Sequence, residues 1–464
     1  MDTNNDEKIK RSSSGMDMLH GKLGGKILLF AIPLALTGIL QQLFNAADVA
    51  VVGQFVGTNA MAAVGSDSVV VSLMLNLFTG VSIGATVVIS SAIGRGDSRA
   101  IRRGVHTAVV FSVIGGILMA VIGELAAGPL LQLMKVPADI MSMALVYLRI
   151  YMAGMPVIVL YNFESAIFRS MGDTRTPLVI LVISGVINVI LNLFFVLVMG
   201  MDTDGVALAT VLSNLISSAI MFIILLRRDG DIAIRWRELS IDKRLMKNML
   251  KIGVPAGVQG MVFSVSNMLV QSAINSLGPD IMAASSAAFN IEILVFFLVS
   301  SFGQACTTFT SQNRAAGQLE RCKSILKICL LQNLAASLIG SAVLLPLGPA
   351  LLGLFNPAES VAVYGMIRLV YIISLEFING GMEVFSGCLR GHGHSIGPAV
   401  ITLCGVCGTR VIWVYTVFKA VPTFGTLMLV YPISWIITCS VLAIYYMAHR
   451  REFYGALVRD GAAE

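Results

Sequence analysis

Twelve long apolar stretches constrain this chain more than any other feature. They fall at 27–52, 60–92, 104–127, 140–168, 177–200, 204–226, 248–276, 281–312, 324–347, 360–388, 397–418 and 424–448. A helix needs about 20 apolar residues to cross a bilayer, and each stretch supplies them. With no water to satisfy backbone groups inside a membrane, such segments are helices or closed barrels, and runs this long read as helices. Only 12% of the 464 residues are charged, about half of the 25% usual in a soluble domain. The expected fold is therefore an all-α polytopic membrane protein of twelve transmembrane helices. Several stretches exceed the minimum span, which allows tilts or kinks without specifying an angle.

The formal net charge is +6, but its distribution points to membrane topology and away from a nucleic-acid partner. Of the 32 Lys and Arg, 27 lie in the N-terminal tail, the loops after spans 2, 4, 6, 8 and 10, and the C-terminal tail. By the positive-inside rule this puts both termini in the cytoplasm. Lys135 and Lys419 belong to outer loops, while Arg149, Arg368 and Arg410 fall within spans. The first 26 residues lack the pattern of a removable signal peptide. All seven Cys lie in the second half, within or beside apolar spans, and read as small buried hydrophobes. The Cys404/Cys407 pair lacks the βαβ context of a redox motif.

The chain repeats itself. RSMGDTRTP at 169–177 is matched by RGHGHSIGP at 390–398, with Arg169/Arg390, Gly172/Gly393 and Pro177/Pro398 each 221 residues apart. PLLQLMKVPAD at 129–139 is matched by PALLGLFNPAE at 349–359, an offset of 220. Six spans per repeat give both halves the same orientation, so they form two pseudo-symmetric six-helix bundles with the transport path expected at their interface. The expected organisation is a cytoplasmic tail at 1–26, an N-lobe at 27–226, a cytoplasmic linker at 227–247, a C-lobe at 248–448 and a second tail at 449–464. Gly80 and Gly84 in span 2 form a GxxxG that permits close helix packing.

The first span also carries Gln41, Gln42, Asn45 and Asp48. A carboxylate at membrane depth costs about 2.5–3.5 kcal/mol on insertion scales and is kept where it faces protein or a water-filled path. Asn188 and Asn192 share one face of span 5 at i, i+4. At about 1.5 Å per residue, Asn192 lies roughly 22 Å in from the cytoplasmic start of span 5 and Thr210 roughly 9 Å in from the outer start of span 6. Asp48, and Asp67 in span 2, belong at a similar level. Adding 221 to Asp48, Asn188 and Asn192 gives Leu269, Thr409 and Trp413, so this polar cluster has no copy in the second half. A duty shared by both repeats would be duplicated; this one is not. Asp48, Asn188, Asn192, Thr210 and Asp67 are the candidate ion-coupling and substrate site. In the C-lobe Gln259, Asn267, Glu292 and Glu376 are secondary cavity candidates, although each Glu could instead pair with Arg149, Arg368 or Arg410. His392 and His394 flank one Gly in a turn, too sparse for a metal site, and no cofactor is expected. There is no HExxH and no Ser/His pair at membrane depth, so an enzyme is not expected either.

VGQFVG after Asp48, MAAVG, SIGATVVISSAIGRGD, MGDTRTP, GVALAT, KIGVPAGVQ and TTFTSQNRAAGQLER, in this order, resemble the multidrug and toxic compound extrusion (MATE) transporters over essentially all twelve spans. The resemblance implies alternating access and export of cationic or amphiphilic compounds by antiport with H+ or Na+. It implies a multi-pass protein of the cytoplasmic (inner) membrane, working as a monomer on small molecules. It also implies a coupling role for Asp48, with Asn188 and Thr210 matching the amide and hydroxyl of the fifth and sixth helices. Asn192 departs from the pattern, since many relatives have Asp there. Asp67 is positioned to supply the missing charge. Phe263 stands near the place where one branch carries a C-lobe acid, with Gln259 one turn before. The rival within carriers is a lipid-linked sugar flippase, which would favour a strongly basic cavity.

Overall fold

The structure, a computed structural model, describes residues 15–460 other than Lys135 and Asn356, with side chains through Gly455. The expectations for residues 1–14, for Lys135 as an outer-loop residue and for residues 461–464 lie outside the described residues.

Among the described residues, eleven helices are long and apolar enough to span, and a bent pair makes the twelfth. We number the helices α1 Leu23–Val51, α2 Thr58–Gly94, α3 Ser98–Leu133, α4 Met141–Ala153, α5 Met155–Ser170, α6 Arg175–Leu193, α7 Thr203–Arg227 and α8 Lys243–Asn275. They continue with α9 Pro279–Ala315, α10 Leu319–Phe355, α11 Glu359–Ile373, α12 Glu376–Gly391, α13 Ile396–Thr402, α14 Thr409–Trp413, α15 Phe424–Met428 and α16 Val430–Asp460. Wider π-type turns, Val52–Val56 and Phe194–Val198, extend α1 and α6, and two more flank α14. The pair α4/α5 bends by 49° at Gly154. Pro156, two residues further on, cannot donate to the preceding turn, so the ladder is interrupted there.

The repeat is visible in the backbone. Helices α2 and α9 both span 37 residues and start 221 apart, as do α3 and α10, α6 and α13, and α7 and α15. Three pairs of glycines with positive φ keep the same spacing: Gly57/Gly278, Gly96/Gly317 and Gly172/Gly393. Gly172 (φ 85°) and Gly393 (φ 81°) reverse the chain in a left-handed conformation that costs an L-residue about 1–2 kcal/mol.

Helix α3 outruns its apolar window because its start is capped outside it. Asp97, in the RGD triplet, accepts from the Ala100 N–H at 3.0 Å and starts α3. A 37-residue helix is about 55 Å long, more than the 40–45 Å of a bilayer with its headgroups.

Two compact units result. One comprises Thr37–Gly257, the other Asp17–Leu36 with the chain from Val258 on. The divisions thus fall inside α1 and α8, after Leu36 and after Gly257, within one turn of Pro33 and Pro255, the prolines in these two helices. In the first unit Ala85, Ile89, Phe163, Ala166 and Phe168 pack the core. The first half of α8 closes against α2 there. A Cβ on Gly80 would stand 2.1 Å from the Gly257 nitrogen, and one on Gly84 2.1 Å from the Met249 carbonyl oxygen. Gly253 faces Val81 in the same way, so a GxxxG on each helix lets the backbones meet.

The segment 227–247 is seated on α3 in this unit. The Arg235 N–H donates to His106 Nε2 at 3.0 Å, while His106 Nδ1–H donates to the Arg102 carbonyl at 2.7 Å. The Asp242 N–H donates to Thr107 Oγ1 at 2.9 Å, and Arg102 pairs with Asp231 and Glu238. In the second unit the N-terminal segment and the start of α1 dock together: Asn313 donates to the Met18 carbonyl at 3.2 Å and Gln332 to that of Gly24 at 2.8 Å.

Candidate functional site

Helices α1, α6 and α7 of the first unit bring four of the five N-lobe candidates together. Gly185 on α6 makes this possible, because a Cβ there would lie 1.9 Å from Cε2 of Phe44 on α1. The Phe44 ring therefore lies directly on the α6 backbone. One turn further along α1 and two turns further along α6, Asp48 meets Asn192. The Asn192 side-chain amide donates to Asp48 Oδ1 at 2.5 Å and to Asn188 Oδ1 at 3.3 Å. The Thr210 hydroxyl lies 3.2 Å from Asp48 Oδ2 and 3.0 Å from the Val206 carbonyl, and the Asn188 amide donates to Thr210 Oγ1 at 3.4 Å.

Asp48, Asn188 and Asn192 are all buried, Asn192 completely. Both Asp48 oxygens are held, and among the described residues every hydrogen-bond partner is neutral. Asn192 Oδ1 is buried without a hydrogen-bond partner among the described residues. The site thus gathers oxygens from a carboxylate, two amides and a hydroxyl around one uncompensated negative charge. That donor set suits a proton or a small hard cation, which takes oxygen ligands.

Asp67 on α2 is fully buried, and neither carboxylate oxygen has a hydrogen-bond partner among the described residues. It makes no hydrogen bond to the Asp48 cluster among the described residues. Tyr147 on α4, which the sequence reading did not single out, lies within electrostatic reach of both acids. Its ring stacks on Tyr151 at 6.3 Å. The only signal in the sequence was the i, i+4 spacing of two Tyr in one span.

In the second unit one buried acid is ion-paired. Arg368 grips Glu292 with two nitrogens, at 2.9 and 2.6 Å, and donates to Ser285 at 2.7 Å. Asn267 accepts from Arg410, whose guanidinium lies 5.0 Å from the Phe263 ring and 4.6 Å from that of Tyr431. Glu376 accepts from Asn379 at 2.7 Å. Gln259 is half-buried and has no hydrogen-bond partner among the described residues. Glu292 is thus an ion-pair member, the alternative its sequence left open. Glu376 pairs with none of the three intramembrane Arg, and Arg149 pairs with Glu124 at 2.9 Å. The seven Cys are free thiols.

Fold and site together define a polytopic helical membrane protein with a parallel internal repeat and an asymmetric buried polar cluster. The MatE family model matches residues 33–194 and 255–416, so the chain belongs to the MatE family. The two matched segments start 222 residues apart, so the family model meets the same duplication. Members of this family are transporters, not enzymes. The probable multidrug resistance protein YoeA of Bacillus subtilis is 28% identical over 394 residues, covering 82% of this chain and 84% of that one. The probable multidrug resistance protein NorM of Thermotoga maritima is 23% identical, covering 85% of each. Among solved structures, the crystal structure of MATE in complex with MaL6 matches with a TM-score of 0.88 at 21% identity, covering 95% of this chain and 99% of that one.

Proposed function

We propose that this protein is a secondary active multidrug efflux transporter. It exports cationic or amphiphilic compounds by antiport with H+ or Na+ through alternating access, and Asp48 is the coupling carboxylate. The observation that carries the proposal is a contrast between two buried acids. Glu292 is neutralised by Arg368 at 2.6 Å, whereas among the described residues Asp48 is held only by Asn192 and Thr210. A buried charge without a partner costs several kcal/mol, and a bound cation relieves that cost. Cation binding and release at Asp48 therefore carry enough free energy to bias one conformation over another. Coupling requires the ion and the exported compound to favour different states.

Relatives described as multidrug resistance proteins support the substrate class. Asn188, Asn192 and Thr210 position the carboxylate, and Asp67 is a second buried acid of the same unit. The C-lobe residues Asn267, Glu292 and Glu376 serve as internal framework in this reading. We place the protein in the cytoplasmic membrane as a monomer, with the Arg-rich loops and both termini inside. A flippase for lipid-linked sugars draws no support from a basic cavity, since Arg368 and Arg149 are each held by a Glu. The test is dye export from proteoliposomes under a pH gradient or a sodium gradient imposed separately. Export driven by one gradient and lost in Asp48→Asn supports the proposal; undiminished export by that variant sinks it.

A further inference from the structure

At the end of the second unit that carries the 392–395 turn, three metal-ligating side chains from two distant stretches of the chain meet. His394 comes from the turn between α12 and α13, and His449 and Glu452 come from α16. One ligand atom of each lies within 4.8 Å of the other two. His394 Nε2 is 3.2 Å from Glu452 Oε1. Tetrahedral zinc with bonds of about 2.0–2.1 Å separates its ligand atoms by about 3.3 Å. His394 and Glu452 already stand at that separation, and His449 has at most about 1.5 Å to close.

The surroundings orient the ligands. His449 Nδ1 lies 2.9 Å from the Tyr445 carbonyl. A carbonyl only accepts, so Nδ1 carries the proton and the Nε2 lone pair is left for a metal. A hydrogen bond from the second ring nitrogen to a backbone carbonyl is the usual way a metal-ligating imidazole is fixed. The i, i+3 spacing puts His449 and Glu452 on one helix face. The turn is fixed as well: the His394 N–H donates to the Leu389 carbonyl at 2.9 Å, and Arg314 donates to the His392 carbonyl. Phe453, buried, packs its ring against both imidazoles, at 5.0 Å from His394 and 6.2 Å from His449. His394 and His449 are half-buried and Glu452 is exposed, so an ion reaches the site from solvent.

We propose that His394, His449 and Glu452 form a zinc site, with solvent completing the coordination. Two imidazoles and one carboxylate are a borderline N2O set that favours Zn2+ over the hard cations Mg2+ and Ca2+, which select oxygen. The bound metal clips the end of α16 to the α12–α13 turn, adding to the ring contacts of Phe453 with His392 and His394 and to the exposed ion pair between His394 and Glu452. The two halves of the site are 55 residues apart in the chain, so the two turn histidines alone gave no sign of it.

The test is zinc binding to the purified full-length protein in detergent, with Co2+ as a spectroscopic probe. One Zn2+ per chain is expected, with affinity reduced at least tenfold in H394A, H449A and E452Q and unchanged in H20A. The Co2+ adduct should show d–d bands without the near-ultraviolet thiolate charge transfer that the buried cysteines of this unit would add. Should H394A fail to fold, H449A and E452Q, near the end of α16, carry the test. Unchanged affinity in the H449A/E452Q double variant, thiolate charge transfer in the Co2+ spectrum, or no binding at millimolar Zn2+ would overturn the assignment.

Discussion

Gly185→Ala probes the geometry of the Asp48 cluster without touching any of its polar groups. The added methyl would stand 1.9 Å from Phe44 Cε2 and 2.0 Å from its Cζ. Ordinary carbon contacts need about 3.5 Å, so ring and helix must part by about 1.5 Å. If α1 moves off α6 by that amount, the 2.5 Å bond from Asn192 to Asp48 opens to about 4 Å, too long for a hydrogen bond. Overpacking costs about 1–3 kcal/mol, and a lost bond to a carboxylate adds about 1.5–3 kcal/mol. The assays are thermal unfolding in detergent and dye efflux from proteoliposomes. Gly185→Ala should melt earlier and lose most efflux. Adding Phe44→Leu removes the ring that collides, so the double variant should recover both, with a coupling of at least about 1 kcal/mol. A Gly185→Ala protein that melts and transports like the parent would refute the packing argument, as would a second substitution that rescues nothing.

Other substitutions separate the forces at work. Asp48→Asn can still accept from Asn192, so its thermal stability should stay within about 1 kcal/mol of the parent. Asp48→Ala leaves the Asn192 amide without its carboxylate, which costs about 1–3 kcal/mol; equal melting of the two variants would contradict this. Glu292→Ala strands Arg368 and should cost about 3–5 kcal/mol, whereas a Glu292→Met/Arg368→Met double variant should recover most of that loss. A double variant that melts below the single one would show that the ion pair stabilises the unit beyond its desolvation cost. Gly84→Val faces the Met249 carbonyl, which is backbone and cannot swing aside; it should abolish accumulation of folded protein, measured as the monodisperse fraction in detergent.

Hydropathy located every span, because the bilayer demands length and apolarity that few other structures need. The duplication was legible from three loop residues, Arg169, Gly172 and Pro177, and their partners, since turn geometry restricts residue choice more tightly than a lipid-facing surface does. The convergence of Asp48, Asn188, Asn192 and Thr210 was legible too, because helix rise converts sequence position into depth. Other features depended on pairings across the chain that no local pattern encodes. The ion pair between Glu292 and Arg368 joins α9 to α11, and neither residue alone says whether it faces a cavity or a partner. The seating of Arg235 on His106 gives the 227–247 segment a fixed place that its polarity did not suggest. The passage of α1 and α8 from one unit to the other near Pro33 and Pro255 was hidden because both helices read as uninterrupted spans.

The central claim is that Asp48 couples cation entry to export, and uptake of the coupling cation during export tests it most directly. Proteoliposomes loaded with a fluorescent amphiphilic cation and a pH or sodium indicator report both fluxes in one sample. The account predicts that export in the parent protein is accompanied by opposite movement of H+ or Na+, and that Asp48→Asn, folded and inserted, abolishes both fluxes. Cation-coupled export at the parental rate in Asp48→Asn would contradict it.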